Sequence, residues 1–291
     1  MAKNVIGIIG GSGLGDVLAD HINDLEYRNT TTPFGRPSGK ILFGKIRNHQ
    51  IAFINRHGDG HRFSPSDVPY AANIYALKQL GAKAIIASCA VGSLQEKIKP
   101  KELVLADQII DKTWRRQNSF FNGIAAVHCE MTQPLCGRLR KTLIAAAKSI
   151  ETKTHSKGTY ICMEGPQFST RAESLMHRGW GGDLIGMTAM PEAKLAREAQ
   201  MCYAMIAFVS DYDCWRRQEA HKDKQTLLKE IYGNLTAATG NAIHLIKTAL
   251  SSNLDICSDE CQCRKSLELA VWTNDKQIKT TDKKKLASLF K

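Results

Sequence analysis

The chain has 291 residues, 43% of them hydrophobic, and a formal net charge of +12. That length allows one large or two ordinary domains with a sizeable core; no apolar stretch approaches the roughly 18 residues of a membrane span, and MAKNVIGII lacks the long apolar run and small-residue cleavage site of a secretory signal. A cytoplasmic globular protein is expected, whose positive charge suits nucleic acid, membrane surfaces or small anions.

Strands and helices alternate along the chain. VIGIIG is short, β-branched and closed by glycines, the pattern of a strand buried on both faces. Neither familiar phosphate loop fits the turn that follows. A G-x-G-x-x-G motif started at Gly11 and Gly13 reaches Asp16 where Gly or Ala is needed, and Gly10 and Gly15 have Walker A spacing without the Lys-Ser/Thr that completes it. Two readings remain: a tight turn without ligand, or converging N–H groups that hold a free oxyanion such as inorganic phosphate, with the Ser12 hydroxyl as a further donor. KILFGKI and IAFINRHG flank RNHQ as a hairpin, and SPSD leads to a helix over VPYAANIYALKQLG, with Ala71, Ile74 and Leu77 on one face and Gly81 as its cap.

Strands follow over AIIAS, which runs into CAVGSL, and over ELVLADQII; the basic loop KTWRRQNSFFNG then precedes a helix over 135–150. Three further cycles complete the pattern. GTYICM runs into EGPQFS and a helix opened by a Thr170–Glu173 capping box. DLIGM precedes Thr188, with Pro191 suited to the first position of a helix over EAKLAREAQ. YAMIAFVS precedes DYDCW, and a long helix is predicted over 226–250. No linker or repeat interrupts this alternation, so one α/β domain is expected over 1–265, followed by a basic extension at 266–291. From Arg264 to Lys291 eight Lys or Arg stand against three Asp or Glu, a net of +5. A solvated tail is expected there rather than a nucleic-acid reader, because no zinc-finger, KH or RRM signature accompanies the charge.

Most of the nine cysteines sit in apolar runs, where buried thiols are the default. Cys257, Cys261 and Cys263 cluster instead. Without a second CxxC or a His at ligand spacing, they read as thiols or a local disulfide rather than a metal site.

In open α/β sheets ligands sit beyond the carboxyl ends of the strands, and Ser12, Arg56, His57, Cys89, Glu164, Met187, Thr188, Asp211 and Asp213 all fall there. In NRHGDGH, Arg56 offers a fork of donors for two phosphate oxygens and His57 a further donor; the alternative is an ordinary surface pair. In SDYDCW, a continuing strand places Asp211 and Asp213 on one face, where mutual repulsion leaves one of them protonated near neutral pH and able to protonate a leaving group. The alternative is a helix cap followed by a first-turn acid. In MEGPQF, Glu164 suits two vicinal ribose hydroxyls and Phe168 suits stacking on a base, while Met187 suits packing under a sugar; each alone also fits a core or cap role.

GIIGGSGL, TPFGRPS, RHGDGH, NIYALKQLGA, AVGSLQEKI, DQIIDKT, CMEGPQFSTRAES, IGMTAMPEAKLAREA and DYDCW together resemble the 5′-methylthioadenosine phosphorylases of the trimeric purine nucleoside phosphorylase class. The likeness runs from about Val5 to the CxC region near Cys263. It implies a single domain with a central mixed β-sheet flanked by helices, and phosphorolysis of 5′-methylthioadenosine to adenine and 5-methylthioribose 1-phosphate. It also implies a phosphate site at Ser12, Arg56, His57, Cys89, Ala90 through its backbone N–H, and Thr188. Met187 and Phe168 match sugar and base contacts, and Asp211 matches the residue that bonds N7 and the 6-amino group, with Asp213 supporting it. His61 and His128 match residues near the 5′ substituent, the latter from a neighbouring subunit of a trimer or a dimer of trimers. No metal or organic cofactor is implied; phosphate is a co-substrate.

The sequence departs from that pattern in three places. Cys89 stands where the pattern has Ser or Thr, a weaker donor. HKDKQTLL brings Lys222 and Lys224 where the pattern has valines, with Leu227 and Leu228 left to form an apolar wall for the 5′ group. The basic extension matches nothing in the pattern. Competing readings are a nucleoside phosphorylase acting on adenosine or inosine, a hydrolytic nucleosidase, a nucleic-acid-binding module, and an NAD-dependent oxidoreductase, the last disfavoured by Asp16.

Overall fold

The computed structural model describes residues 5–11, 14–216, 224–252, 256 and 260–290. In chain order the elements are β1 (Val5–Gly10), α1 (Leu14–Ala19), β2 (Asn23–Arg28), β3 (Ile41–Ile46), β4 (His49–Asn55), α2 (Tyr70–Gln79), β5 (Ala82–Ser93), β6 (Leu103–Val104) and β7 (Gln108–Asp111). They continue with α3 (Gly137–Ala147), β8 (Thr154–His155), β9 (Thr159–Cys162), α4 (Arg171–Gly179), β10 (Leu184–Gly186), α5 (Glu192–Glu198), β11 (Cys202–Tyr212), α6 (Lys224–Ser251) and α7 (Thr280–Leu286).

The eleven strands among the described residues join one mixed sheet. The organising strand is β5, twelve residues long, which pairs in parallel with β1 along its first half and with β11 along nearly its whole length. At Gly92 and Ser93 its pairing changes again, to an antiparallel contact with β10. The sheet therefore divides at the end of β5: one branch runs through β10, β9 and β7, and the other through β11, β6 and β8. A strand order that changes direction leaves a crevice at the strands' carboxyl ends.

Side-chain alternation along the central strands feeds two cores. In β11, Tyr203, Met205, Ala207 and Val209 join the layer containing α2, α5 and the C-terminal residues, whereas Cys202, Ala204, Ile206 and Phe208 join the layer containing α1, α3 and α6. Burial on both faces is what a continuous apolar run in a parallel sheet requires.

Several expectations are met closely. β3 and β4 form the antiparallel hairpin, and α4 opens with the Thr170–Glu173 capping box. Others are not. Residues 103–111 make two strands rather than one, because the chain crosses between branches: β6 pairs with β11 and β8, while β7 pairs with β9. The helix α2 is buried from Tyr70 through Lys78 rather than on one face alone. Pro191 occupies the cap position, with α5 starting at Glu192.

The segment after residue 265 is not a solvated tail. Leu267, Ala270, Leu286 and Leu289 are buried in the same core as α2, Tyr75 Oη donates to Lys285 O at 2.7 Å, and Gln200 Nε2 donates to Leu289 O at 2.9 Å. The lysines of α7 share a short helix with an apolar face that docks. Of the two readings of the cysteine cluster, thiols or a local disulfide, the structure has thiols at Cys261 and Cys263: all eight cysteines among the described residues are free, and Cys257 lies outside those residues. Among the described residues no helix is long and apolar enough to cross a membrane.

Candidate active site

Parallel strands β1 and β4 end side by side at Gly10 and Asn55, and Arg56 N donates to Gly10 O at 2.8 Å, which ties the glycine turn to the next loop. Arg56 is 2% exposed. Its Nε and Nη2 donate to the two carboxylate oxygens of Glu192 at 2.8 and 2.9 Å, and Nη1 donates to Ser88 O at 2.9 Å. Tyr203 Oη completes the carboxylate's partners at 2.8 Å. The Arg56 fork expected for phosphate thus grips Glu192 instead. Of the guanidinium's five N–H groups, three have partners among the described residues and two are left for an anion. Glu192 also holds the guanidinium's protonation well above its usual range despite burial.

The next residue turns its donor inward as well. His57 Nδ1 lies 2.9 Å from Phe63 O, and a carbonyl only accepts, so Nδ1 carries the proton. Burial and the adjacent Arg56 charge lower the imidazole to about 4. Neutral His57 therefore presents Nε2 as an acceptor, not the donor expected from sequence. The His61 ring stacks on it at 4.2 Å. Gly58 permits this turn: its φ is +71°, and a Cβ would stand 2.7 Å from Ser38 O.

Cys89 and Thr188 both meet Tyr160, and Ser12 lies outside the described residues. The Cys89 thiol has a partner within the protein. It contacts Met205 Sδ at 3.2 Å, and burial pushes it up to about 12. Tyr160 reaches from beneath, its hydroxyl accepting from Thr188 N at 3.3 Å. Ala90, by contrast, is exposed.

At the far end of β5 the second cluster assembles. β11 bulges at Ser210, so that Val209 faces Val91 and Asp211 faces Gly92. Asp211 is raised from 3.8 to about 6; burial is the main cause, a hydrogen bond from Ser210 Oγ at 2.6 Å opposes it, and the Asp213 charge adds to it. The expected repulsion between the two carboxylates exists but is secondary to desolvation. Asp213 N donates to Ser93 O at 2.9 Å, and its Oδ2 is buried with no hydrogen-bond partner among the described residues. A buried acceptor without a donor is costly in the free protein. It is an open position for a ligand N–H.

A family profile described as the phosphorylase superfamily matches residues 5–251. The chain belongs to the phosphorylase superfamily. Relatives described as S-methyl-5′-thioadenosine phosphorylases include one from Gloeobacter violaceus, 42% identical over 98% of this chain and 94% of that protein, and one from Pyrococcus horikoshii, 48% identical over 79% of this chain and 86% of that protein. Among solved structures, a methylthioadenosine phosphorylase from an antarctic soil metagenomic library superposes with a TM-score of 0.89, at 41% identity over 99% of both chains. A variant of the adenosine/methylthioadenosine phosphorylase from Schistosoma mansoni, solved with methylthioadenosine, gives 0.78 at 35% identity over 86% of this chain and 91% of that one.

Within this superfamily member, other predicted residues take different places. Glu164 does not offer its carboxylate to a diol: Oε1 accepts from Ser66 Oγ and from Arg116 Nε at 3.3 Å, and Oε2 accepts from Trp114 N at 2.7 Å. These bonds hold it below the usual carboxylate range despite burial. Met187 packs over Gly165, where a Cβ would stand 2.6 Å from its sulfur. Phe168 is 85% exposed, on a loop joined to the Asp213 turn by Cys214 Sγ, which donates to Ser169 O at 3.2 Å. His128 is placed with the C-terminal segment, its N–H on Ala270 O at 2.9 Å and its ring 4.9 Å from Trp272. Leu228 is 54% exposed on α6, and Lys222 and the side chains of Lys224 and Leu227 lie outside the described residues.

Sequence reasoning missed Glu192, Tyr203 and Arg116. Arg116 Nη1 donates to Met187 O at 2.6 Å and Met190 O at 2.5 Å, and Nη2 to Glu164 O at 2.6 Å. It brackets the turn carrying Thr188, so it is a positioning residue. Its only sequence signal is membership of a basic loop. Glu192 follows a proline at a helix start, where an acid reads as a dipole complement, so nothing local marks it as Arg56's partner.

Proposed function

We propose that the chain cleaves 5′-methylthioadenosine with inorganic phosphate, giving adenine and 5-methylthioribose 1-phosphate, as a cytoplasmic salvage enzyme. One observation carries this reading: a buried, carboxylate-braced cation contacts β5 at Ser88, and a half-buried acid faces the same strand at Gly92. Ser88, which accepts from Arg56, and Gly92, which faces Asp211, are four residues apart on β5, about 13 Å at the strand rise, on the order of a nucleoside with an adjacent phosphate.

As the C1′–N9 bond breaks, its electron pair leaves with the purine and positive charge develops on the ribosyl ring. A phosphate oxygen forms the new bond to C1′, held by the two remaining Arg56 N–H groups, the backbone at Ala90, and Thr188. Asp211, protonated below about pH 6 through burial, gives its proton to N7 and neutralises the leaving base. Asp213 Oδ2 accepts from the 6-amino group; a 6-oxo group would place two acceptors face to face.

A homotrimer is part of the proposal. His128, Leu269 and Trp272 are exposed beside one another along the C-terminal segment, Leu269 at 89% and Trp272 at 74%, an apolar patch suited to burial against a second copy. Sedimentation should then give three chains per particle.

Initial rates with methylthioadenosine, adenosine and inosine, each with and without phosphate, test the reaction. Phosphate-dependent adenine release, fastest from methylthioadenosine, is expected. Equal release without phosphate makes the protein a hydrolase instead. A second reading, adenosine as an equal substrate, is favoured by the 35% identity to a protein described as an adenosine/methylthioadenosine phosphorylase, and the same assay decides it.

A further inference from the structure

At the opposite end of β11 from the acids, four cysteines distant in sequence meet. Cys136 caps the N-terminus of α3, Cys202 is the first residue of β11, and Cys261 and Cys263 flank one residue of a 3₁₀ turn beyond α6. Their sulfur atoms all lie within 4.8 Å of one another, and Cys136 and Cys261 are separated by 3.6 Å. We propose that these four thiolates form a structural zinc site.

The geometry discriminates between the chemistries open to four sulfurs. A disulfide brings two of them to about 2.05 Å. Tetrahedral zinc with Zn–S bonds near 2.3 Å sets every S···S edge at about 3.8 Å. The cluster fits the second pattern: all four cysteines are free, Cys136 and Cys261 stand 3.6 Å apart, and no sulfur is more than 4.8 Å from another. Three of the four residues are buried.

Backbone contacts hold the ligands in place. Cys136 N donates to Tyr203 O at 2.8 Å, fixing one ligand beside the residue after another, and Arg264 N closes the turn on Cys261 O at 2.8 Å. Arg264 Nη1 donates to Gln200 O at 2.9 Å and Ser266 Oγ to Arg197 O at 2.5 Å, which seats that turn against the end of α5. Leu139 N points at Cys136 Sγ from 3.4 Å. Together with the α3 N-terminus, this donor stabilises the negative charge that a four-thiolate zinc centre carries.

Four protein ligands leave no open position for substrate or water, which marks a structural centre rather than a catalytic one. Asp211 lies nine residues further along β11, roughly 30 Å at the strand rise, so the site is remote from the proposed chemistry. Its effect is to pin the segment after α6 to α3 and β11. The sequence alone argued against a metal because the ligands come from three separate stretches.

The test uses the full chain purified without added metal. Elemental analysis and native mass spectrometry should find one zinc per chain; a mercurial should release it in step with four thiols that a disulfide reagent does not reach beforehand. Chelation under mild heating should lower the melting temperature. Cys263→Ser should lose the zinc, whereas Cys129→Ser, outside the cluster, should keep it. If Cys263→Ser does not fold, zinc release from the unaltered chain decides alone. A chain without stoichiometric zinc overturns the proposal, as does alkylation mass analysis that finds these four cysteines joined as disulfides.

Discussion

Replacing Glu192 by Gln preserves the side chain's shape and removes its charge, which isolates the electrostatic part of its bond to Arg56. Both partners are buried, Arg56 at 2% and Glu192 at 0% exposure, and the contact consists of two charge-assisted hydrogen bonds at 2.8 and 2.9 Å with Tyr203 Oη on the same carboxylate at 2.8 Å. An amide accepts on one side only, so its NH₂ meets a donor from Arg56 or from Tyr203 whichever way it turns. Breaking one half of such a buried pair costs about 3–5 kcal/mol, because the remaining charge has no partner. At roughly 2 °C per kcal/mol for a large domain, the unfolding midpoint should fall by about 6–10 °C. Saturating phosphate should return part of that loss, since an anion beside Arg56 replaces the missing charge, and the phosphate-induced shift should be larger in Glu192→Gln than in the unaltered protein. The KM for phosphate should rise as the guanidinium loses its fixed position. Thermal scans with and without phosphate, paired with initial rates at varied phosphate, measure all three. An unchanged midpoint refutes the bracing role of Glu192, and equal phosphate shifts in the two proteins refute the placing of the anion at Arg56.

The Asp211 acid gives a pH-dependent counterpart. Its folded-state value, about 6 against an ordinary 3.8, means that the folded chain holds this proton more tightly than the unfolded chain; the stabilisation is full below pH 3.8 and is lost as pH rises through about 6, a difference of about 3 kcal/mol. Asp211→Asn should therefore be more stable than the unaltered protein at pH 8, with the advantage gone near pH 4, while cleavage falls roughly 100- to 1,000-fold; denaturant melts showing no gain at pH 8 would contradict this. Asp213→Asn should raise the inosine-to-methylthioadenosine rate ratio, because the amide donates where the carboxylate only accepts, and a constant ratio removes Asp213 from base selection. Truncation after Lys265 should abolish cooperative unfolding, since it strips Leu267, Ala270, Leu286 and Leu289 from the core, at about 1.5–3 kcal/mol for each large side chain against a usual margin of about 5–15 kcal/mol. A truncated chain melting at the original midpoint would mean that the segment contributes nothing to the fold.

What the sequence revealed follows from the range of the forces involved. The capping box at Thr170 and Glu173, the hairpin around Arg47, and the apolar run of β1 are set by neighbours within a few positions, so their residue types carry the signal. The strands' carboxyl ends were legible because topology decides them: Arg56 and Thr188 follow the ends of β4 and β10, and Asp211 lies at the end of β11. Glu192 was invisible for the opposite reason: it meets Arg56 across 136 positions, and an acid that pairs with a buried arginine looks in sequence like an acid that complements a helix dipole. Cys89 and Glu164 were assigned by residue type and location, but which donor or acceptor a side chain meets depends on packing that no spacing rule encodes.

The C-terminal segment and the cysteine cluster fail in a shared and instructive way. Composition sums over all faces of a segment, and the lysines at 283–285 outweigh the leucines in that sum; folding acts on each face separately, so Leu286 and Leu289, three residues apart, bury their side chains while the lysines stay at or near the surface. Local spacing likewise saw only Cys257, Cys261 and Cys263, whereas the sheet delivers Cys202 and the start of α3 delivers Cys136 to the same point. The two features are physically linked. The cysteine turn at 261–263 directly precedes the segment that packs in the core with α2, so a cross-link there shortens the loop that must close before Leu286 and Leu289 can dock. Loop-closure entropy grows with the logarithm of loop length, and fixing the turn lowers that cost for every contact downstream of it.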